Sequence, residues 1–306
     1  MSAIRTACPI VVILMLTGAL SGPVEAGFAE GLAASRAGDH ETALREWQPL
    51  AEAGDAAAQY NIALMYQRGE GVRQDYAEAL RWYRLAAEQG QPDAEAAIGA
   101  LYEKGLGIGQ NDAEALRWYR LAAARGHAGA QSDIAYMYER GRGVRQDIDE
   151  ALRWYHLAAE QAFLPAQFRL AFLYYYGEGT PPNAVEAVRW ARELAEQEDP
   201  GGEAILAHAY LNGNGVAQDI PRGVALYRKA AEQDYPPAQF FLGRLYGAGL
   251  GVPQDNVRSL VWYRLAAAGG LEVAAAEGAT VETRMTAAEI SEAARQVKDW
   301  QSRKGP

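Results

Sequence analysis

Residues 130–159 read AQSDIAYMYERGRGVRQDIDEALRWYHLAA, and two spacings inside this stretch decide the fold. Ala130, Ile134, Ala135, Met137 and Tyr138 fall at offsets 0, 4, 5, 7 and 8, an apolar stripe with the helical period. Gly141 follows, where a helix end calls for a left-handed residue that glycine adopts at least steric cost. Asp147 then stands as an N-cap with Glu150 three residues on, the spacing of a capping box. Ala151, Trp154, Tyr155, Ala158 and Ala159 form a second stripe at offsets 0, 3, 4, 7 and 8. The stretch is two helices joined by a short turn.

The same pattern returns along the chain. Tryptophan recurs at Trp82, Trp118, Trp154, Trp190 and Trp262, 36 residues apart or, once, 72. The skipped slot is Leu226, followed by a matching Tyr227-Arg228. In rows of 36 the glycines align as Gly69, Gly105, Gly141, Gly177, Gly213 and Gly249, with a second glycine two residues after each. A tyrosine column, Tyr66 through Tyr246, precedes them. Asp75 with Glu78 and Asn183 with Glu186 repeat the capping signature; Asp219 and Asp255 keep the cap but have Arg222 and Arg258 at the third position. A fixed period of this length marks a repeat architecture. One helix pair cannot cover its own apolar face, so stacked neighbours supply the core. In the first row the second helix is expected to bury Ala79, Trp82, Tyr83, Ala86 and Ala87, each fully buried aromatic contributing about 2–3 kcal/mol.

The row Ala-x3-(Ile/Leu)-(Gly/Ala)-x-(Leu/Met)-Tyr-x2-Gly-x-Gly-Val-x2-Asp-x3-Ala-x2-Trp-Tyr-x2-Ala-Ala resembles the Sel1-like repeat, and it recurs six times over about residues 57–272. The resemblance implies an all-α fold, an α/α solenoid of helix-turn-helix repeats related to tetratricopeptide arrays and curving into a superhelix. It also implies an adaptor or scaffold for protein complexes, with bacterial members often in the envelope, and first helices that line the inner surface. Some cysteine-rich members are linked to β-lactamase activity, but the repeats here carry no cysteine.

The remaining segments read as a signal peptide over 1–26, an N-terminal capping region over 27–56 and a C-terminal capping region over 273–306. Arg5 precedes the apolar stretch Pro9 to Leu20, and Val24-Glu25-Ala26 places small residues for cleavage after Ala26. The stretch is too short for a comfortable membrane span. The expected location is the periplasm or the exterior. Cys8 is the single cysteine and lies in that removable segment. Residues 27–56 read as a degenerate second helix with Ala43, Leu44, Trp47 and Leu50 in register. Thr286 and Glu289 read as a capping box, with Met285 and Ile290 as a hydrophobic staple, opening a helix to about Gln301 that should close the stack.

Several function classes are disfavoured. A net charge of −10 argues against nucleic acid. The Gly-x-Gly turns lack the strand and the Lys-Ser/Thr of a phosphate loop. His40, His127, His156 and His208 have no partner at helical spacing, so neither metal nor cofactor is expected. No nucleophile, base and orienter assemble into a catalytic set, and the chain reads as a non-enzyme.

Function is sought where the rows differ. Three variable first-helix columns lie at i, i+3 and i+7, on one helical face. The middle rows carry Asp133, Tyr136 and Arg140, then Arg169, Phe172 and Tyr176, then His208. Aromatics and arginine dominate binding hot spots, so these residues are the expected partner-binding set for a protein or peptide segment on the concave surface. Row four is unusual: its first helix has Phe168, Tyr175 and Tyr176, while its second has Ala191 in place of tyrosine. Compensation in the core is the alternative role for such aromatics. Binding of cell-wall glycan is the second functional reading, and hydrolysis of a cell-wall or β-lactam substrate the third.

Overall fold

The computed structural model describes residues 23–304. Most of the expected signal segment lies outside the described residues. Paired helices run α1 (Pro23–Arg36) and α2 (His40–Glu52), α3 (Ala56–Arg68) and α4 (Tyr76–Glu88), α5 (Pro92–Lys104) and α6 (Asp112–Ala124), α7 (Ala128–Arg140) and α8 (Ile148–Ala159). Then come α9 (Leu164–Tyr176) and α10 (Ala184–Glu196), α11 (Pro200–Asn212) and α12 (Ile220–Glu232), α13 (Pro236–Ala248) and α14 (Asn256–Ala268), α15 (Glu272–Glu282) and α16 (Ala287–Lys304). No strand occurs among the described residues. The chain divides into two compact units, α1–α8 and α9–α16. Each is an α/α solenoid of stacked hairpins in which consecutive helices up to α15 pack together.

The turn explains the period. Gly141 has φ 67° and donates its N–H to the Met137 carbonyl. Gly143 is also left-handed, at φ 65°. A Cβ there would stand 2.5 Å from the Asp112 backbone of the preceding hairpin, so the second glycine sets how closely repeats stack. Asp147 caps α8 by accepting from the Glu150 N–H at 2.9 Å. Its own N–H donates to the Tyr138 carbonyl at 3.0 Å, and the cap residues Asp75, Asn111, Asn183, Asp219 and Asp255 donate likewise to the preceding tyrosine carbonyl. The cap N–H is thereby already satisfied. The expected capping boxes form by half: Glu78, Glu150 and Glu186 do not reach back but pair with Arg81, Arg153 and Arg189. The complete box is at Thr286, whose N–H meets Glu289 at 2.7 Å while the Glu289 N–H meets the Thr286 hydroxyl.

Within the core the tyrosine of the second helix lies deeper than the tryptophan. Tyr83, Tyr119, Tyr155, Tyr227 and Tyr263 are all buried. Trp82 and Trp190 are buried too, but Trp118, Trp154 and Trp262 are half-buried. The tryptophan ring sits at the edge of the stack, where Trp154 donates to Glu150 and Arg81 and Arg189 lie over Trp82 and Trp190. Three tyrosine hydroxyls are tied to the first helix of their own hairpin: Tyr83 to Gln67, Tyr119 to Glu103 and Tyr155 to Glu139, at 2.7–2.9 Å.

A buried polar column runs beside them. Gln59 and Gln131 accept from Gln89 and Gln161. Where the column holds a carboxylate, a cation arrives: Arg125 meets Glu95 at 3.2 Å, and Lys229 meets the fully buried Glu203 at 2.7 Å. Removing charge from one side alone leaves the other unmatched in a poor solvent for ions.

Both ends are richer than the sequence patterns imply. Where residues 27–56 suggest one helix, the structure has the hairpin α1–α2. Phe28 stacks near Trp47, whose indole N–H donates to the Phe28 carbonyl, and Gly31 leaves room for the indole. At the other end α15 supplies a further first helix, burying Ala274 and Gly278. Instead of simply closing the stack, α16 packs along α14. Its Trp300 meets Trp262 edge to face and donates to Asp234 on the α12–α13 connection at 2.9 Å.

Two outcomes follow for stability. Arg125→Gln should cost about 1–2 kcal/mol in urea unfolding, since Arg125 is half exposed and solvent screens part of the loss. Adding Glu95→Gln should recover most of it by recreating the Gln89–Gln59 arrangement. Tyr119→Phe and Tyr155→Phe should each cost about 1 kcal/mol for a lost internal hydrogen bond.

Candidate functional site

The expected binding residues fall in both units. In the first, Asp133, Tyr136 and Arg140 project from α7 and are exposed. Arg140 is paired with Glu139 at 3.1 Å and lies 5.7 Å from the Tyr136 ring centre. Water reaches Asp133, yet protein crowds its carboxyl enough that lost hydration, with Glu103 adding, pushes it up to about 7 against the pull of His127 and Lys104.

In the second unit the residues converge. Arg169, Phe172 and Tyr176 share α9, and His208 stands on α11, which packs beside α9. Phe172 and Tyr176 are 4.6 Å apart between ring centres, and Tyr176 meets Tyr175 edge-on at 5.1 Å. Tyr175 meets His208 at 5.4 Å, and His208 meets Phe241 of α13 at 5.5 Å. Phe241 in turn stacks on Tyr227 at 5.3 Å. A continuous run of rings thus crosses the first helices α9, α11 and α13. Tyr176 remains 51% exposed. Arg169 lies over Phe172 and Arg244 over Phe241; Arg169 also pairs with Glu178 at 3.4 Å.

His208 is the hinge of this run. Burial, then the Arg244 charge, lowers its pKa, so the neutral ring dominates at pH 7. A neutral imidazole with its proton on Nε2 accepts the Tyr175 hydroxyl at Nδ1. Asn212 adds a bond to the His208 carbonyl at 2.8 Å.

Row four resolves by an exchange between helices. Gln67, Glu103 and Glu139 occupy the first-helix column that meets the second-helix tyrosine, and in row four that column holds Tyr175 while the tyrosine slot holds Ala191. The aromatic ring has moved to the first helix. Phe168 packs against Gly201, where a Cβ would come within 2.5 Å of its ring. Tyr175 meets His208 of α11 and Phe168 packs at Gly201, while Phe172 is half-buried and Tyr176 exposed.

Tyr175, Phe241 and Arg244 belong to this surface, and the buried Tyr227 backs it, although none of the four was among the expected binding residues. Phe241 and Arg244 stand in the very columns that pointed to Arg169 and Phe172; their signal was present but outside the middle rows. Among the described residues no group of three or more His, Cys, Asp or Glu could hold a metal ion. No described helix is long and apolar enough to cross a membrane.

Comparison with known proteins accords with this architecture. The Sel1 repeat family pattern matches residues 56–91, 92–127, 128–163, 164–199, 202–235 and 236–271. A Sel1 repeat protein from Oxalobacter formigenes is 32% identical, with 78% of this chain and 96% of that chain aligned and a TM-score of 0.69. A protective antigen, c5321, present in uropathogenic Escherichia coli strains and displaying an SLR fold, is 26% identical, covering 90% of this chain and 76% of that one with a TM-score of 0.55. No curated protein gives a match. Six matched repeats, the left-handed turn glycines and the shared fold make this chain a member of the Sel1 repeat family, whose members are generally scaffolds for protein–protein interaction.

Proposed function

We propose that the protein is a non-catalytic adaptor of the bacterial cell envelope that holds a peptide or protein segment against the first-helix face of α9, α11 and α13. The observation that carries this reading is the ring run from Phe172 to Phe241, with Tyr176 half exposed and guanidinium groups over two of its rings. A monomer gains nothing from leaving such a cluster in water. Tyrosine, phenylalanine and arginine supply large contact areas at low entropic cost. Asp133, Tyr136 and Arg140 offer a second, smaller contact patch on the first unit.

The envelope location rests on the sequence of residues 1–26, read as a cleavable leader. The non-catalytic reading rests on the surface itself: α9, α11 and α13 contain no serine, threonine or cysteine, and His208 is engaged by Tyr175. A protein segment is favoured over glycan because neighbouring rings meet edge to face, at 75° and 77°. A sugar needs a broad flat face.

The test is affinity capture from the native envelope with the mature protein and with a Phe172→Ala/Tyr176→Ala double variant whose helicity is checked. The expected result is one or more proteins retained by the wild type and lost from the folded variant. Retention by both would remove the surface from the reading, glycan alone would replace it, and unfolding of the variant would assign both rings to the core.

A further inference from the structure

Rows five and six break a rule that the first three rows keep. Tyr83, Tyr119 and Tyr155 each have an acceptor on the first helix of their own hairpin. In rows five and six that acceptor position is Leu211 and Gly247, which offer no side-chain oxygen. Tyr227 is only 1% exposed and Tyr263 only 4%. Neither hydroxyl has a hydrogen-bond partner among the described residues. Two nearly buried tyrosines in successive repeats thus lack the internal partner of the first three rows.

The same place holds an unmatched cation. Arg244 is exposed and makes no salt bridge among the described residues. Its guanidinium lies 5.9 Å from the Phe241 ring centre, and that ring stacks on Tyr227 at 5.3 Å and meets His208 at 5.5 Å; its charge bears on both. Burial holds the Tyr227 phenol far above its ordinary range, and it stays a donor at any physiological pH. The Glu277 charge of α15 bears on Tyr263 and disfavours a second anion there, which favours Tyr227 as the partner of an incoming carboxylate. Donors converging without an acceptor call for an acceptor from outside.

We infer that Arg244 and the Tyr227 hydroxyl form a site for a single carboxylate of the bound segment, next to the Phe172–Tyr176–His208–Phe241 ring run that takes an adjoining apolar or aromatic side chain. This deepens the proposed function and rests on that surface being the binding face. The occupant is a peptide segment whose carboxylate lies beside a large apolar residue, either at a chain terminus or on an aspartate or glutamate. Arg244 supplies charge and a fork of N–H groups; Tyr227 supplies direction from below.

Three labelled peptides test it by fluorescence anisotropy on the mature chain. One ends in Phe-Leu with a free carboxylate, the second is its amide, and the third is amide-ended with an internal Phe-Glu pair. The acid form, the Phe-Glu form or both should bind about tenfold more tightly than the plain amide, and the pair distinguishes a terminus from a side chain. Arg244→Gln should abolish that preference. Tyr227→Phe should reduce it several-fold while leaving the melting temperature unchanged, unlike Tyr119→Phe. Equal binding of all three peptides, lost in Phe172→Ala/Tyr176→Ala, would overturn the carboxylate site and keep the surface. A preference that survives Arg244→Gln would also overturn it, and binding of none of the peptides would remove site and surface together.

Discussion

One backbone bond governs this architecture. In each of the six rows the N–H of the residue capping the second helix donates to the carbonyl of the tyrosine that ends the first. That bond closes the hairpin at a fixed length and angle, and the left-handed glycines between its ends make the path possible. Because the cap N–H is used there, the acidic residue one turn on is released for an ion pair with arginine. Among the described residues the reciprocal box appears at Thr286 alone, outside the rows. The rest of the packing follows from hairpins of one shape. The second glycine lets them approach, alanines line the contact, and the deep tyrosine fills what remains.

The periodic columns carried the hairpins and their borders in plain view, because glycine, tyrosine and the cap residue are each demanded by local backbone geometry. What they hid lies where those demands lapse. In α1, Glu30 and Ala33 stand in the tyrosine and glycine columns; at the end of α15 Glu282 does, with Met285 just beyond it. Both helices form through packing, against Trp47 in one case and α14 in the other, and packing leaves no local signature. The recurring tryptophan was the easiest column to see, yet the tyrosine beside it is the deeper residue.

The proposed binding surface was half legible. Arg169, Phe172, Tyr176 and His208 were marked by variation between rows, and the structure brings them to one face of the second unit. Asp133, Tyr136 and Arg140 lie on α7 of the other unit, where Arg140 is already paired. Tyr175 stood out beside the missing tyrosine at Ala191, but as a candidate for the core; its contact with His208 on α11 leaves no pattern within one row. Tyr227 escaped notice because it obeys its column, and what distinguishes it is the missing acceptor at Leu211.

The buried polar column has a consequence for how such a chain changes over time. Glu95 and Arg125 lie within one repeat, as do Glu203, Lys229 and Gln233, while several glutamines of the column also bond a backbone carbonyl of the preceding repeat, as Gln59 does with Ala51 and Gln131 with Ala123. A backbone carbonyl is the same whatever residue carries it. For this column whole repeats are therefore interchangeable parts: duplication or deletion of a complete unit keeps Glu95 with Arg125 and Glu203 with Lys229. A crossover inside a repeat, between a glutamate-bearing first helix and a glutamine-type second one, strands a charge in the interior. Recombination in this gene should leave viable products mainly when its breakpoints fall between repeats.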